Sequence, residues 1–244
     1  CYNVHMDKIK ILQNWVDEAE NIVFFGGAGV STESGIPDFR SENGLYRQKF
    51  AHSPETMLSR TFFDACPEEF FRFYKERMLV TDVMPNAAHR KLAEMEEKGR
   101  LSAVITQNID GLHRKAGSRT VYELHGSIYR NACMRCGREY GAEAVAAAAG
   151  VPKCACGGTI KPSVVLYGEP LPEDAWNGAV RAMEGADLLI VAGTSLTVYP
   201  AAYLVRYFKG KRAVIINLSD TGTESAYALS IRAKVGETLA QIVL

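Results

Sequence analysis

The chain has 244 residues, 47% of them hydrophobic, with 28 basic and 28 acidic side chains and so no formal net charge. That length supports one large core with a smaller satellite, and the neutral balance speaks against a nucleic-acid binder working through phosphate contacts. No apolar run approaches the roughly 18 residues of a membrane span, and no secretory leader is visible. Of six cysteines, four cluster within 133–156 while Cys1 and Cys66 stand apart. This is metal arithmetic suited to a reducing cytosol rather than a disulfide framework. The expectation is a cytoplasmic monomer with no direct nucleic-acid or membrane partner.

Residues 7–20 carry Ile11, Leu12, Trp15 and Val16 at helical spacing, a leading helix packed on a sheet. The next stretch organises the chain. Ile22-Val23-Phe24-Phe25 has the character of a buried strand, and Gly26-Gly27-Ala28-Gly29-Val30-Ser31-Thr32 follows it. Glycines without a Cβ let a backbone approach a pyrophosphate, and the next helix start points N–H groups at the anion. Residues 22–34 are therefore expected to be strand, turn and first helix of a doubly wound sheet. A glycine turn that merely joins strand to helix is the alternative. Pro37 cannot lie inside a helix and biases Ile36 to extended geometry. That helix is then short, and a loop with Asp38, Phe39 and Arg40 returns beside the same ligand. The third fingerprint position holds Thr32 rather than glycine, unlike a plain hydride-transfer site.

Residues 41–82 contain Phe50, Phe62, Phe63, Phe70, Phe71, Phe73 and Tyr74, with Pro54 and Pro67 as punctuation. They read as an inserted helical module, mostly core, with an apolar groove where it meets the sheet. Pro85 opens a helix over Asn86–Lys98, ended by Gly99, on which His89 is structural. Leu101–Ile105 is the second strand and leads into Thr106-Gln107-Asn108-Ile109-Asp110-Gly111. Its amides and carboxylate suit a carboxamide and ribose hydroxyls, against the alternative of a turn rich in Asn and Asp. Val121–Leu124 is a short strand before His125-Gly126-Ser127. An imidazole at a strand end is a candidate general base, against a plain turn histidine.

Cys133-Met134-Arg135-Cys136 and Cys154-Ala155-Cys156 bracket a gap within the roughly 15–20 residues of zinc ribbons, with the second pair one residue tighter than usual. Four thiolates leave no open position, so the metal is structural. Ala144–Ala149 between them reads as a short helix. Ile160–Tyr167 is either an edge segment able to pair with an extended peptide or an ordinary crossover strand. Asp187–Ala192 is an apolar strand entering Gly193-Thr194-Ser195, a second strand-to-helix turn suited to phosphate or ribose. Ala213–Ile216 ends in Asn217-Leu218-Ser219. Several strands thus end in small polar residues along one sheet edge.

Taken in order, these motifs resemble those of the sirtuins, the Sir2-type NAD-dependent protein deacylases, in their compact bacterial form. The matching segments are Gly27-Ala28-Gly29-Val30-Ser31, Gly35 to Arg40, Thr106 to Asp110, His125-Gly126, the paired cysteines, Val164 to Glu169, and Gly193-Thr194-Ser195. The resemblance covers nearly the whole chain. It implies an α/β fold: a Rossmann-like doubly wound parallel sheet with a smaller zinc-ribbon plus helical module. Residues 7–40, 83–127 and 168–244 would form the NAD-binding domain. The helical module 41–82 and the zinc ribbon 128–167 would form the small one.

The resemblance also implies site residues. Gly27, Ala28, Gly29, Thr32, Asp38, Phe39 and Arg40 would line the NAD pocket. Gln107 and His125 would meet the nicotinamide ribose, and Asn108, Ile109 and Asp110 the nicotinamide. Gly193, Thr194, Ser195, Asn217 and Leu218 would hold phosphates and adenosine, with Lys234 and Val235 closing over adenine. Val164, Val165, Leu166, Tyr167 and Gly168 would pair with an acetyl-lysine protein or peptide. Cys133, Cys136, Cys154 and Cys156 would hold structural zinc. NAD is then a co-substrate. The acyl oxygen attacks the anomeric carbon as nicotinamide leaves, and His125 is the general base, with Asn108 also catalytic. The products are nicotinamide, O-acetyl-ADP-ribose and free lysine. The desuccinylating branch carries a Tyr and an Arg three residues apart on the aromatic helix. Those positions are read here as Phe71 and Tyr74, which leaves no cation for an acidic acyl group, so acetyl or apolar acyl groups are expected. Competing readings are an NAD oxidoreductase, a zinc-ribbon binding module on an inactive nucleotide fold, and mono-ADP-ribosyl transfer.

Overall fold

The computed structural model describes residues 2–39, 44 and 52–244. Arg40 and Phe50 therefore lie outside the described residues. The chain opens with α1 (Tyr2–Glu18), which leads into β1 (Ile22–Gly26). Three short helices follow, α2 (Pro54–Met57), α3 (Arg60–Ala65) and α4 (Pro67–Arg77), then α5 (Ala87–Glu97) and β2 (Leu101–Thr106). After α6 (Leu112–Lys115) and β3 (Val121–Glu123) the chain leaves the main body for β4 (Gly126–Cys133), β5 (Glu139–Tyr140), α7 (Ala142–Ala146) and β6 (Ile160–Val164). It returns with α8 (Glu173–Gly185), β7 (Leu188–Ala192), β8 (Arg212–Asn217), β9 (Leu229–Arg232) and α9 (Val235–Leu239).

Six strands form one parallel sheet in the order β3-β2-β1-β7-β8-β9. A parallel sheet covered on both faces needs apolar side chains on both, which is why β1 and β7 read as unbroken hydrophobic runs. In β1, Ile22 and Phe24 join the core under α1 and α5, with Leu12, Val16, Leu92 and Met95. Val23 and Phe25 point the other way, into the core under α8 with Ala179 and Met183. The strand order reverses at β1, between β2 and β7. Open α/β sheets bind ligands at such a reversal, beyond the carboxyl ends of the strands.

The expected helix after the glycines is not there. Two 3-10 turns, Ala28–Val30 and Thr32–Ser34, occupy its place and end at Gly35, whose φ is +89°. A left-handed Gly35 followed closely by Pro37 stops helix growth before a full α-turn can form. Likewise Gly193-Thr194-Ser195 does not enter a helix directly, since the next helical turn is 3-10 and begins at Ala201. The short alanine-rich helix lies slightly earlier than its composition suggested, at Ala142–Ala146.

The second sheet is antiparallel, in the order β5-β4-β6, so β6 is one of its edges. Its apolar face does not stand alone. Ile128, Ile160, Val164 and Leu166 share one core with Phe63, Phe70, Phe71 and Tyr74 of α3 and α4. Phe63, Phe70 and Phe71 meet edge to face, with centroids 4.9 to 5.8 Å apart. This geometry adds to the burial of the rings themselves. Among the described residues no helix is long and apolar enough to cross a membrane.

Candidate active site

A cavity of about 610 Å³ lies at the carboxyl ends of β1, β2, β7 and β8, against the end of β6. Two strand-end turns meet at its floor. The Gly29 N–H donates to the Gly193 carbonyl at 2.8 Å. A Cβ on Gly29 would lie 2.7 Å from the Gly193 Cα, and Gly193 itself has φ +60°. The glycines thus serve first to bring two backbones together. Gly27 packs against Thr194 and is not among the lining residues, whereas Ala28, Gly29, Thr32, Asp38 and Phe39 all line the cavity. The Asn86 side chain, which caps α5, donates to the Val30 carbonyl at 2.7 Å and pins the turn from behind.

The loop after β2 carries a buried relay. Asn108 Nδ2 donates to Ser31 Oγ at 3.0 Å, and Ser31 Oγ donates to Asp110 Oδ2 at 2.6 Å. Asp110 Oδ1 accepts the Leu112 N–H at 2.9 Å. Burial pushes the Asp110 carboxyl above its ordinary range, against the pull of the Ser31 and Leu112 hydrogen bonds. Sequence reasoning placed Ser31 in the glycine turn but gave it no role. Its only sequence signal is a hydroxyl among glycines. Gln107 also lines the cavity, and its Nε2 is buried with no partner among the described residues. A buried donor without a partner fits a site that a polar ligand completes.

His125 stands where the chain passes from the large sheet to the small one. Gly126 makes that passage at φ +76°, with a virtual Cβ only 1.8 Å from the Ser163 carbonyl oxygen, so no side chain fits there. His125 Nδ1 lies 2.9 Å from the Gln107 carbonyl oxygen. A carbonyl only accepts, so Nδ1 carries the proton and Nε2 is left as a base. Burial lowers the pKa of the imidazole, with the Gln107 carbonyl acting in the opposite direction. The His125 carbonyl accepts the Val165 N–H at 3.0 Å, which fastens the segment after β6 beside the imidazole. Val164, Val165, Leu166, Tyr167 and Gly168 all line the cavity.

On the far side, the Asn217 amide is oriented twice over. Its Oδ1 accepts the Thr194 N–H at 3.2 Å, and its Nδ2 donates to the Thr194 carbonyl at 3.0 Å. Ser195, Leu218, Lys234 and Val235 line the same end. The lining also includes Ser219 of the strand-end run Asn217-Leu218-Ser219, and Thr197 to Pro200, Asp220 and Thr221, which nothing in the sequence singled out.

The acyl-end reading needs correction. Phe71 and Tyr74 are fully buried in the aromatic core and do not line the cavity. Arg77, three residues after Tyr74 at the end of α4, does line it. The Tyr–Arg spacing therefore falls on Tyr74 and Arg77, and a cation does stand on the wall.

Cys133, Cys136, Cys154 and Cys156 converge, with all four sulfurs within 4.8 Å of one another. Four sulfurs so placed suit a closed tetrahedral zinc site. The tight second pair is accommodated by the Cys154–Gly157 turn, whose Gly157 has φ +86°.

A profile of the Sir2 family matches residues 27–200. The NAD-dependent protein deacetylase of Clostridium acetobutylicum is 54% identical over 242 residues, covering 98% of this chain and 99% of that one. The chain belongs to the Sir2 family. Among solved structures, this Sir2-family protein is similar to a Sir2–p53 peptide–NAD+ complex, with a TM-score of 0.83, 41% identity and 95% of each chain covered. A Sir2 structure with a deacetylated p53 peptide and 3′-O-acetyl ADP ribose gives a TM-score of 0.87, again at 41% identity and 95% coverage of each chain.

Proposed function

We infer that this Sir2-family chain is an NAD-dependent protein-lysine deacetylase that releases nicotinamide, O-acetyl-ADP-ribose and free lysine. The observation that carries the reading is the sharing of one cavity by the glycine turns, the Asn108–Ser31–Asp110 relay, His125 and the segment 164–168. Relatives at this identity carry the deacetylase name, and the solved complexes hold peptide with NAD or with acetyl ADP-ribose.

NAD supplies an electrophilic ribose carbon and a nicotinamide leaving group when bound. The Gly29 and Gly193 turns and Asn217 would hold its phosphates and adenosine half. Asn108, Ile109 and Asp110 would face the nicotinamide, with the Asp110 carboxylate taking the carboxamide donors. His125 accepts a proton from a ribose hydroxyl at Nε2, so that the freed oxygen can attack the acyl carbon. A base so positioned is worth roughly 10²–10⁴ in rate, and orientation of the two substrates supplies much of the rest. Cys133, Cys136, Cys154 and Cys156 would hold a zinc ion that braces the small domain, with no position left open for substrate.

The acetyl-lysine segment would lie as a strand along 164–168. The small domain would comprise 41–82 and 128–167, a division supported by their common core. None of the five described cysteines is in a disulfide, which supports action in a reducing cytoplasm. The neutral charge supports a protein rather than a nucleic-acid partner, and we take the working form to be a monomer. The test is incubation with an acetyl-lysine peptide and NAD, followed by mass analysis. O-acetyl-ADP-ribose should appear with no reduced-nicotinamide absorbance. Growth of that absorbance would instead identify an oxidoreductase.

A further inference from the structure

The segment 164–168 leaves the end of β6 just beyond its Val164 pairing with Gly126 of β4, and a cluster of charged side chains fastens its backbone. Lys161 Nζ donates to the carbonyls of Pro162 at 3.1 Å and Val164 at 3.0 Å. The same ammonium lies 3.0 Å from Glu169 Oε2, which also accepts the Leu166 N–H at 2.9 Å. Glu169 Oε1 receives Arg60 at 3.2 Å, and Arg60 Nε is held in turn by Asp64 at 2.8 Å. The Arg60 N–H donates to the Tyr167 carbonyl, and the Tyr167 N–H to the Leu58 carbonyl, both at 2.9 Å.

An exposed ion pair contributes little, but this one is not exposed. The Lys161 and Glu169 side chains are only 15% and 16% accessible. Removing one member of such a pair strands the other and frees the backbone groups they hold. Burial acts to raise the Glu169 carboxyl, but hydrogen bonds from the Leu166 N–H and Lys161 hold it below its ordinary range, so it stays charged. The cluster spans the segment from Val164 to Tyr167 and ties it to the start of α3. A segment fixed in this way has its ordering cost met before a partner strand arrives.

We propose that Lys161 and Glu169 are positioning residues for peptide binding: their ion pair holds the backbone from Val164 to the Leu166–Glu169 turn in place, ready to pair with the substrate strand. The proposal rests on the reading that this segment receives the acyl-lysine peptide. Lys161 is the cleaner probe, because it is not among the cavity-lining residues while Glu169 is.

Two measurements on the full chain separate the proposal from the reading beneath it. Hydrogen–deuterium exchange of 164–168, with and without acetyl-lysine peptide, asks whether the peptide docks there. Steady-state kinetics of Lys161→Met ask whether the ion pair prepares the segment. Expected is peptide protection in the wild type, and faster exchange of 164–168 in the free variant. The peptide KM should rise about tenfold, as for loss of charge-assisted hydrogen bonds, while the NAD KM and kcat at saturating peptide stay within about twofold. Glu169→Gln keeps the shape and an acceptor for Leu166, so it should retain part of the peptide affinity. It also replaces Lys161→Met should that variant lose zinc or melt early. Peptide protection in the wild type with an unchanged peptide KM in the variant would overturn the positioning role and leave the docking reading standing. Absence of peptide protection in the wild type would remove the docking reading and the proposal with it.

Discussion

The Nδ1 atom of His125 lies 2.9 Å from the carbonyl oxygen of Gln107, a residue of the loop that also carries Asn108 and Asp110. One contact thus fixes both the tautomer of the imidazole and its place beside Asn108 and Asp110. His125→Ala should reduce deacetylation by roughly 10²–10⁴ while NAD still binds, as titration calorimetry would show. The pH dependence follows from burial. The imidazole must be neutral to act, and its pKa is lowered, so the acid limb of the kcat/KM profile should fall below the ordinary histidine range. An acid limb above that range would assign the titration to another group.

Ser31 joins Asn108 to Asp110 and has no evident substitute. Ser31→Ala leaves Asn108 Nδ2 and Asp110 Oδ2 each short of a partner in a buried site, at a cost of about 1–3 kcal/mol. The NAD KM should rise and inhibition by added nicotinamide should weaken, with peptide KM little changed. A normal NAD KM would mean that Asn108 and Asp110 hold their places unaided.

The four thiolates should carry about one zinc per chain, read by elemental analysis. Structural zinc binding of roughly 10–16 kcal/mol is folding energy for the module that holds it. Cys133 and Cys154 share the core of Phe70, Phe71, Ile160 and Leu166, so metal loss should be felt at the segment 164–168. Chelation should abolish deacetylation while most far-UV circular dichroism from the large sheet survives. Full activity in metal-free protein would show that the aromatic core alone holds the module.

The strands were legible because a sheet buried on both faces demands continuous apolar runs, as in Ile22–Phe25 and Leu188–Ala192. Much of the cavity lining was legible because open α/β sheets place ligands beyond the carboxyl ends of their strands, where the sequence carries small polar residues. The helix after the glycines was misjudged, since Gly35 and Pro37 act together and only the fold shows that no α-turn precedes them. Leu229–Arg232 escaped notice because four residues on a sheet edge carry too short a pattern. The close approach of Gly27 to Thr194 was not legible, since it joins segments far apart in sequence. Arg77 was missed because helical spacing says which residues share a face, not which one ends the helix at a cavity.

His89 and His113 form a buried pair, with ring centroids 4.7 Å apart, inside the large domain and away from the chemistry. Burial lowers the His89 pKa to about 4 and the His113 pKa well below its ordinary value. Above the unfolded value of about 6.5 both rings are neutral in folded and unfolded chains, so neither affects stability. Below it the unfolded chain takes up protons that the folded chain refuses. Stability therefore falls as pH drops from about 6.5 towards 4, by about 3 kcal/mol for His89 alone, and His113 adds in the same direction. Urea midpoints measured from pH 7 to 4 should decline accordingly, and His113→Phe should flatten the decline. A midpoint independent of pH over this interval would mean that the pair is protonated in the folded state.

Substitution of Arg77, which lines the cavity, tests the acyl preference. A guanidinium on the cavity wall offers a counter-charge to an acidic acyl chain, whereas Leu58, Met78 and Val80 nearby suit apolar ones. Acetyl-lysine needs no charge at its end and should be indifferent to the loss of Arg77. Succinyl-lysine carries a carboxylate into the same cavity, where leaving it unpaired is costly. The expected outcome is measurable succinyl-lysine turnover whose peptide KM rises about tenfold in Arg77→Met, while the acetyl-lysine KM moves less than about twofold. The comparison within one variant cancels general damage to α4, because both peptides use the same strand and the same base. Equal shifts for the two peptides would place Arg77 in support of the helix end, and succinyl-lysine inert in both proteins would restore the apolar acyl preference expected from the sequence.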